Sequence, residues 1–169
     1  VATLEVRTRL RAPIARCFDL ARSVDLHRAT AHRTGERAVG GVTAGLLGAG
    51  AAVTGRARHL GWWHALTARL TAFESPTFCR DEQVRGPFAR LRHDHRFRAE
   101  GGETVMTDTL AVAAPLGWLG AVVTRLVLAP HRRRFVAARA PALRAVAESE
   151  DWRRYVTAET ATVPPDGSD

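Results

Sequence analysis

The feature that most limits how this chain can fold is a change of period near residue 115. From Ala51 to Ala114, polar and apolar residues alternate in five stretches, about 51–60, 63–74, 77–85, 88–100 and 103–114. Turn signals divide them at Gly61, Ser75-Pro76, Gly86-Pro87 and Gly101-Gly102. Alternation with period two marks a strand with one covered face, and connections this short join antiparallel neighbours. Beyond residue 115 the spacing becomes helical. Leu119, Val122, Val123 and Leu126, then Phe135, Ala138, Ala142 and Val146, fall on one face of a helix over about 117–148. Pro130 and Pro141 should kink or split that helix, because each removes a hydrogen bond and crowds the preceding turn.

The N-terminal third completes the pattern. Leu4, Val6 and Leu10 alternate with charged residues as in a half-buried strand. Pro13 opens "PIARCFDLARS", where Ile14, Cys17, Phe18 and Ala21 recur at helical spacing. "VDLHRATAHR" reads as a second short helix or an irregular connection, and "GERAVGG" as a short strand. "GGVTAGLLGAGA" reads as a flexible apolar loop in which Leu46 and Leu47 either gate a cavity mouth or pack as ordinary loop residues. The order is strand, one or two helices, six antiparallel strands, long helix: an α+β fold. One helix covers only one face of a sheet. A strongly curved sheet wrapped around it leaves a space between the two.

Composition narrows the function classes. A chain of 169 residues is most simply one domain, spanning 1–150, with a tail over 151–169 whose end is expected to be disordered. No run of about eighteen apolar residues exists, so no membrane span is expected. The N-terminal residues lack the apolar stretch of a secretory signal, which reads as cytoplasmic. Cys17 and Cys79 share no metal-binding or disulfide spacing. All 25 basic residues are arginine, asparagine is absent and isoleucine occurs only at Ile14, as a GC-rich coding sequence would give. The arginines are spread along the chain, with one run at Arg132–Arg134, so a nucleic-acid partner is not expected.

The strand faces point to a site. Over residues 88–98, around "LRHDHRFR", the set Arg90, Arg92, Asp94, Arg96 and Arg98 must face water. Leu91, His93, His95 and Phe97 then point inward, with Phe88 beyond a break in parity at the Gly-Pro turn. A two-residue turn at Gly101-Gly102 sets His95 opposite Asp108, His93 opposite Leu110, Phe97 opposite Met106 and Leu91 opposite Val112. A two-residue turn at Gly86-Pro87 would set Arg80 opposite His93, Phe78 opposite His95 and Glu82 opposite Leu91, leaving Cys79 outward. Across Gly61-Trp62 the same arithmetic pairs His59 with His64 and turns Leu66, Ala68 and Leu70 inward. Buried charge on such a face is costly unless paired. The polar residues form either a self-satisfied network or an acid–base site in which Asp108 orients His95, and His95 or His93 moves a proton.

His-x-His on a strand also sets two imidazoles on one face, a ligand geometry for metals. "GPFARLRHDHRFRAE" approximates the first cupin motif through Gly86, His93, His95 and Glu100. The glycine stands one residue too far away, Glu100 has outward parity, and the second cupin motif is missing. A metal-dependent enzyme is therefore the lesser reading, and no metal or other cofactor is expected. Trp62 and Trp63 read as capping the sheet edge, and Trp118 and Trp152 as anchoring the last helix.

With these elements in order, the chain over about 2–148 resembles the START-like, SRPBCC superfamily. The phrases that carry the resemblance are "RAPIARCFDLA", "GRARHLGWWHALTARLTAFESPTFCRDEQVRGPF", "HDHRF" and "TVMTDTL…APLGWLG". They are similar to a bacterial branch described as ligand-binding or polyketide-cyclase-like. The resemblance implies a helix-grip fold, with a curved seven-stranded antiparallel sheet around the C-terminal helix and an apolar cavity between them. It also implies that Asp81, Glu82, Gly86, Phe88, His93, His95, Phe97, Asp108 and Pro115 stand at recurrent positions. Val112 replaces an expected tyrosine and Gly55 an expected tryptophan, which implies a roomier pocket. The expected function is binding of a hydrophobic, ring-containing small molecule, by a cofactor-independent cyclase, aromatase or dehydratase or by a non-catalytic carrier. The candidate catalytic residues are His93, His95 and Asp108. The candidate lining residues are Arg80, Glu82, Phe78, Leu91, Phe97, Met106, Leu110, Val112, Leu66, Leu70, His59 and His64. Oligomeric state is left open by the sequence.

Overall fold

The computed structural model describes residues 1–30, 37–59, 62–156 and 160–161. Strand β1 (Ala2–Leu10) is followed by helices α1 (Ile14–Ala21) and α2 (Val24–Thr30). Then come β2 (Arg37–Gly41), a two-residue strand β3 (Leu46–Leu47), β4 (Ala52–His59), β5 (Trp62–Glu74), β6 (Phe78–Arg85), β7 (Arg90–Glu100) and β8 (Glu103–Ala113). Helix α3 (Gly117–Val123) runs through a π-helical turn (Thr124–Leu128) into α4 (Ala129–Ala147). A 3₁₀ turn (Glu150–Trp152) and a short α5 (Arg153–Val156) follow.

Seven strands form one antiparallel sheet in the order β1-β8-β7-β6-β5-β4-β2. The meander from β4 to β8 is the expected one, and β1 closes on β8 with Leu4 opposite Leu110 and Leu10 opposite Thr104. The apolar loop is more ordered than its glycines suggest. Leu46 is buried, bridges to Ser23, and β3 pairs in parallel with Thr160–Ala161 (β9). The tail thus returns to the fold at 160–161; its expected disordered end falls on 162–169, outside the described residues.

The packed core sits at one end of the grip. Phe18 of α1 meets Phe73 and Phe97 edge-on at ring separations of 5.3 and 5.5 Å. Around them pack Leu10, Leu20, Leu70, Met106, Leu143 and Ala147. Polar anchors fix the C-terminal end of α4: Arg16 donates to the Ala147 carbonyl at 3.0 Å and lies 4.5 Å from the Trp152 ring. Trp152 is therefore an anchor as expected, but Trp118 is not, since it lies in solvent at the other end.

The helix is not split at its prolines: it runs from Gly117 to Ala147, with Pro130 just after the π turn and Pro141 inside α4. It differs from expectation in the face that packs, which is not the large apolar one. Buried positions step 120, 124, 129 and 132, while Leu119, Val122, Val123 and Leu126 are exposed. The five-residue step across the π turn advances the inward face by one residue. Close backbone approach explains the choice of glycine: a Cβ on Gly120 would lie 1.8 Å from the Pro115 carbonyl oxygen. Thr124 completes the docking, accepting from the Ala114 amide at 2.8 Å and donating to the Gly120 carbonyl at 2.7 Å.

Candidate functional site: a His–Asp cluster under an apolar cavity

The β7–β8 hairpin has the register expected from its glycine turn. His95 is opposite Asp108, His93 opposite Leu110, Phe97 opposite Met106 and Leu91 opposite Val112. Parity therefore carries both imidazoles to the inner face, where His95 and Asp108 are buried and His93 is nearly so.

The β6–β7 register differs from expectation by one residue. Cys79 is opposite His95, Arg80 opposite Asp94, and Asp81 opposite His93. The connection is not a two-residue turn. The ladder stops at Glu82–Arg92, and the Gln83 side-chain amide takes over, donating to the Phe88 carbonyl at 2.7 Å and accepting from the Phe88 amide at 3.3 Å. A slip of one residue exchanges the two faces of a strand. Phe78, Arg80 and Glu82 consequently face outward, and Cys79, Asp81 and Gln83 face the cavity. Arg80 forks onto Asp94 with contacts of 2.7 and 2.9 Å. Asp94 is buried on the outer face beneath Arg80, Arg92 and Arg96, rather than standing in water as expected. Glu82 accepts a hydrogen bond from Thr71, and Phe78 lies beneath the Arg96 guanidinium.

The inner face brings four titratable groups together. His95 Nδ1 lies 2.5 Å from Asp108 Oδ1, and its Nε2 lies 3.3 Å from Asp81 Oδ2. Burial works against charging His95, but the flanking Asp108 and Asp81 carboxylates outweigh it and push its pKa up to about 10. His95 is thus an imidazolium at neutral pH, wedged between two carboxylates. Burial would raise Asp108, yet the His95 charge, the His95 hydrogen bond and the nearby His93 ring hold it well below the usual carboxylate range. Asp81 is lowered likewise, its burial outweighed by the hydrogen bond to His95.

His93 goes the other way. Its ring stacks obliquely on His95 with centroids 4.0 Å apart. Burial, then the neighbouring His95 charge, push its pKa down, against the pull of Asp108. Its Nε2 lies 3.2 Å from Asp108 Oδ1 but out of line, so this buried atom makes no hydrogen bond. His93 is the neutral imidazole of the cluster. Two adjacent histidines with pKa values driven apart are the arrangement that separates a fixed cation from a proton acceptor.

The cluster forms the floor of a cavity between sheet and helix. An inner compartment of about 140 Å³ is lined by Asp81, His93, His95, Leu70, Leu91 and Leu110, among others. It adjoins an outer, apolar compartment of about 200 Å³ between His64, Phe88, Leu128 and Phe135. Val24, Val53, Leu66, Ala68 and Phe135 line both. Behind the histidines, a slot of about 40 Å³ reaches Met106 and Asp108.

Of the expected lining residues, Leu66, Leu70, Leu91, Leu110, His64 and Met106 reach these spaces. Phe97 instead belongs to the packed core, and Val112 is fully buried away from all three. Gly55 does line the outer compartment. His59 pairs with Trp62, and His64 with Ala57, so the two histidines are not partners. The register is offset by two residues from the expected one, which keeps the inward set of β5 unchanged; the His59 side chain lies outside the described residues. Strand reasoning missed Asp81 as the second carboxylate. A signal was available: burying Cys79 with one carboxylate costs less than burying Arg80 and Glu82 together.

A metal is the other occupant this chemistry allows. His93, His95 and Asp108 each bring a ligand atom within 4.8 Å of one another, and the partnerless His93 Nε2 suits a ligand. A zinc ion needs each at about 2.0–2.2 Å. It would have to displace the proton held between His95 and Asp108, so the geometry is better matched to a proton.

Neither a protein-family model nor a curated protein sequence matches the chain. Solved structures do. The protein TTHA0849 from Thermus thermophilus superposes with a TM-score of 0.69 at 16% identity, over 85% of this chain and 95% of that one. A START superfamily protein from Mycobacterium smegmatis gives 0.63 at 9% identity, over 85% and 98%. The major latex-like protein 151 of Panax ginseng gives 0.61 at 11% identity, over 88% and 98%. The chain has the START-like, SRPBCC helix-grip fold.

Proposed function

We propose that the protein binds a hydrophobic, ring-containing small molecule in this cavity and acts on it by acid–base chemistry without a cofactor, as a cyclase, aromatase or dehydratase would. The observation that carries the reading is the junction of a mostly apolar cavity with a charged floor. Pockets of this composition hold a guest by its apolar body and orient it through a few polar groups. The roles follow from the pKa directions. His93, neutral and facing the cavity, accepts a proton from the guest. His95, held charged by Asp81 and Asp108, fixes the local potential and supports the negative charge that develops on the guest. Asp81 opens onto the inner compartment and meets a donor group of the guest.

A second reading is a carrier without turnover. It is favoured by the closure of His95 on two carboxylates, which satisfies the cluster internally. The two readings separate on the fate of the guest. The molecule extracted from the wild-type protein is identified and returned to fresh wild-type and His93→Gln protein. Conversion by wild type, lost in His93→Gln with binding retained, supports the enzyme. Recovery of the guest unaltered from both supports the carrier.

A further inference from the structure

The segment between β8 and the cavity mouth is apolar on the outside. Leu116, Trp118 and Leu126 are 75, 80 and 69% exposed, and Leu119, Val122, Val123 and Val127 are exposed as well. The segment meets the body mainly through Gly120 and Thr124, leaving its large side chains to solvent. A helix that is apolar all round is normally buried in protein or lipid, and contiguous exposed apolar surface marks an interaction site. Backbone strain coincides with it. Leu116 has φ +77° and Gly117 φ +54°, so a bulky residue is held in the left-handed region at the tip of the segment.

Charge says what covers this face. No acidic residue occurs between Asp108 and Glu148, while Arg125, Arg133 and Arg134 are exposed on the same helix. A second copy of the chain docked here would oppose arginine to arginine. An anionic lipid surface complements both features, taking the leucines, valines and Trp118 into its interface and the arginines against its headgroups. Residues 116–128 span roughly 20 Å at about 1.5 Å per residue, against a hydrocarbon core of about 30 Å. No described helix is long and apolar enough to cross a membrane. The segment has the dimensions to lie in the interface rather than span it.

We propose that residues 116–128 dock the protein on anionic membrane surfaces. The last residue of the segment, Leu128, and the next turns of the same helix, through Arg132 and Phe135, line the outer cavity compartment, so the docked face adjoins the cavity mouth. An apolar guest then passes between bilayer and cavity without crossing water. The docking itself is independent of the acid–base reading.

The test is flotation with phosphatidylcholine vesicles, with and without about a third phosphatidylglycerol. Wild type floats with the anionic vesicles, and its tryptophan emission shifts to the blue. Trp118→Glu with Leu126→Glu, both at exposed positions, leaves the melting temperature unchanged and weakens binding about tenfold or more. Arg133→Glu with Arg134→Glu removes the preference for anionic vesicles, each arginine near such a surface strengthening binding about fivefold. A Leu66→Trp variant, whose cavity is filled, still floats. The proposal is overturned if wild type floats with neither vesicle. It is equally overturned if the Trp118/Leu126 variant floats like wild type, or if wild type is a dimer that Leu126→Glu dissociates without any vesicle binding.

Discussion

At the scale of single residues, the site is one imidazolium held between two carboxylates. Its pH signature has a definite sign. His95 is raised from an ordinary 6.5 to about 10, so its stabilisation is complete below 6.5 and is lost as pH rises toward 10. Asp81 and Asp108 are lowered, so theirs is complete above the ordinary carboxylate value and is lost as pH falls below it toward their lowered values. His93 is lowered too, and must charge against its surroundings in acid. Thermal unfolding followed across pH should show greatest stability near neutrality and a fall on both sides. His95→Gln should flatten the alkaline limb, and a limb equally steep in the variant contradicts the assignment. In ring ¹⁵N spectra, His95 should stay doubly protonated through neutral pH while His93 stays neutral. Asp108→Asn should bring the His95 pKa down. Asp108→Ala, which strips a buried cation of its closer partner, should cost about 3–5 kcal/mol in denaturant titrations.

At the scale of elements, the site depends on how two hairpins close. The β7–β8 hairpin was readable because Gly101 and Gly102 both take positive φ and fix a two-residue turn, which delivers His95 to Asp108. The β6–β7 hairpin was not, because a glutamine side chain, invisible to turn rules, ends the ladder and moves the register by one. That shift replaced Arg80 with Asp81 at the site. Gln83→Leu keeps the volume but removes both bonds, leaving the Phe88 carbonyl and amide without their partner. The expected cost is about 1–3 kcal/mol in urea unfolding, with faster amide exchange at Phe88; no change in either would contradict the role given to Gln83. The last helix teaches a related lesson. Periodicity placed Leu119, Val122, Val123 and Leu126 on one face correctly, but periodicity does not say which face meets the body. Gly120 and Thr124 decide that through backbone contacts.

At the scale of the whole molecule, the core is concentrated at the end where α1 and the last turns of α4 meet the sheet, and the other end is hollow. The meander and the last helix were legible from the change of period, β1 and α1 from their own spacing, and the hollow from one helix facing a curved sheet; the pairing of Leu46–Leu47 with residues 160–161 was not, because so short a strand carries no period. The site lies where the two ends meet, with packed side chains behind the histidines and open volume before them. A native mass spectrum of protein freshly purified from its own host should show the chain with a bound small molecule. The adduct should be absent from Leu66→Trp, which fills the space shared by both compartments. A wild-type spectrum of the bare chain, or an adduct retained equally by Leu66→Trp, would mean that the cavity holds no guest.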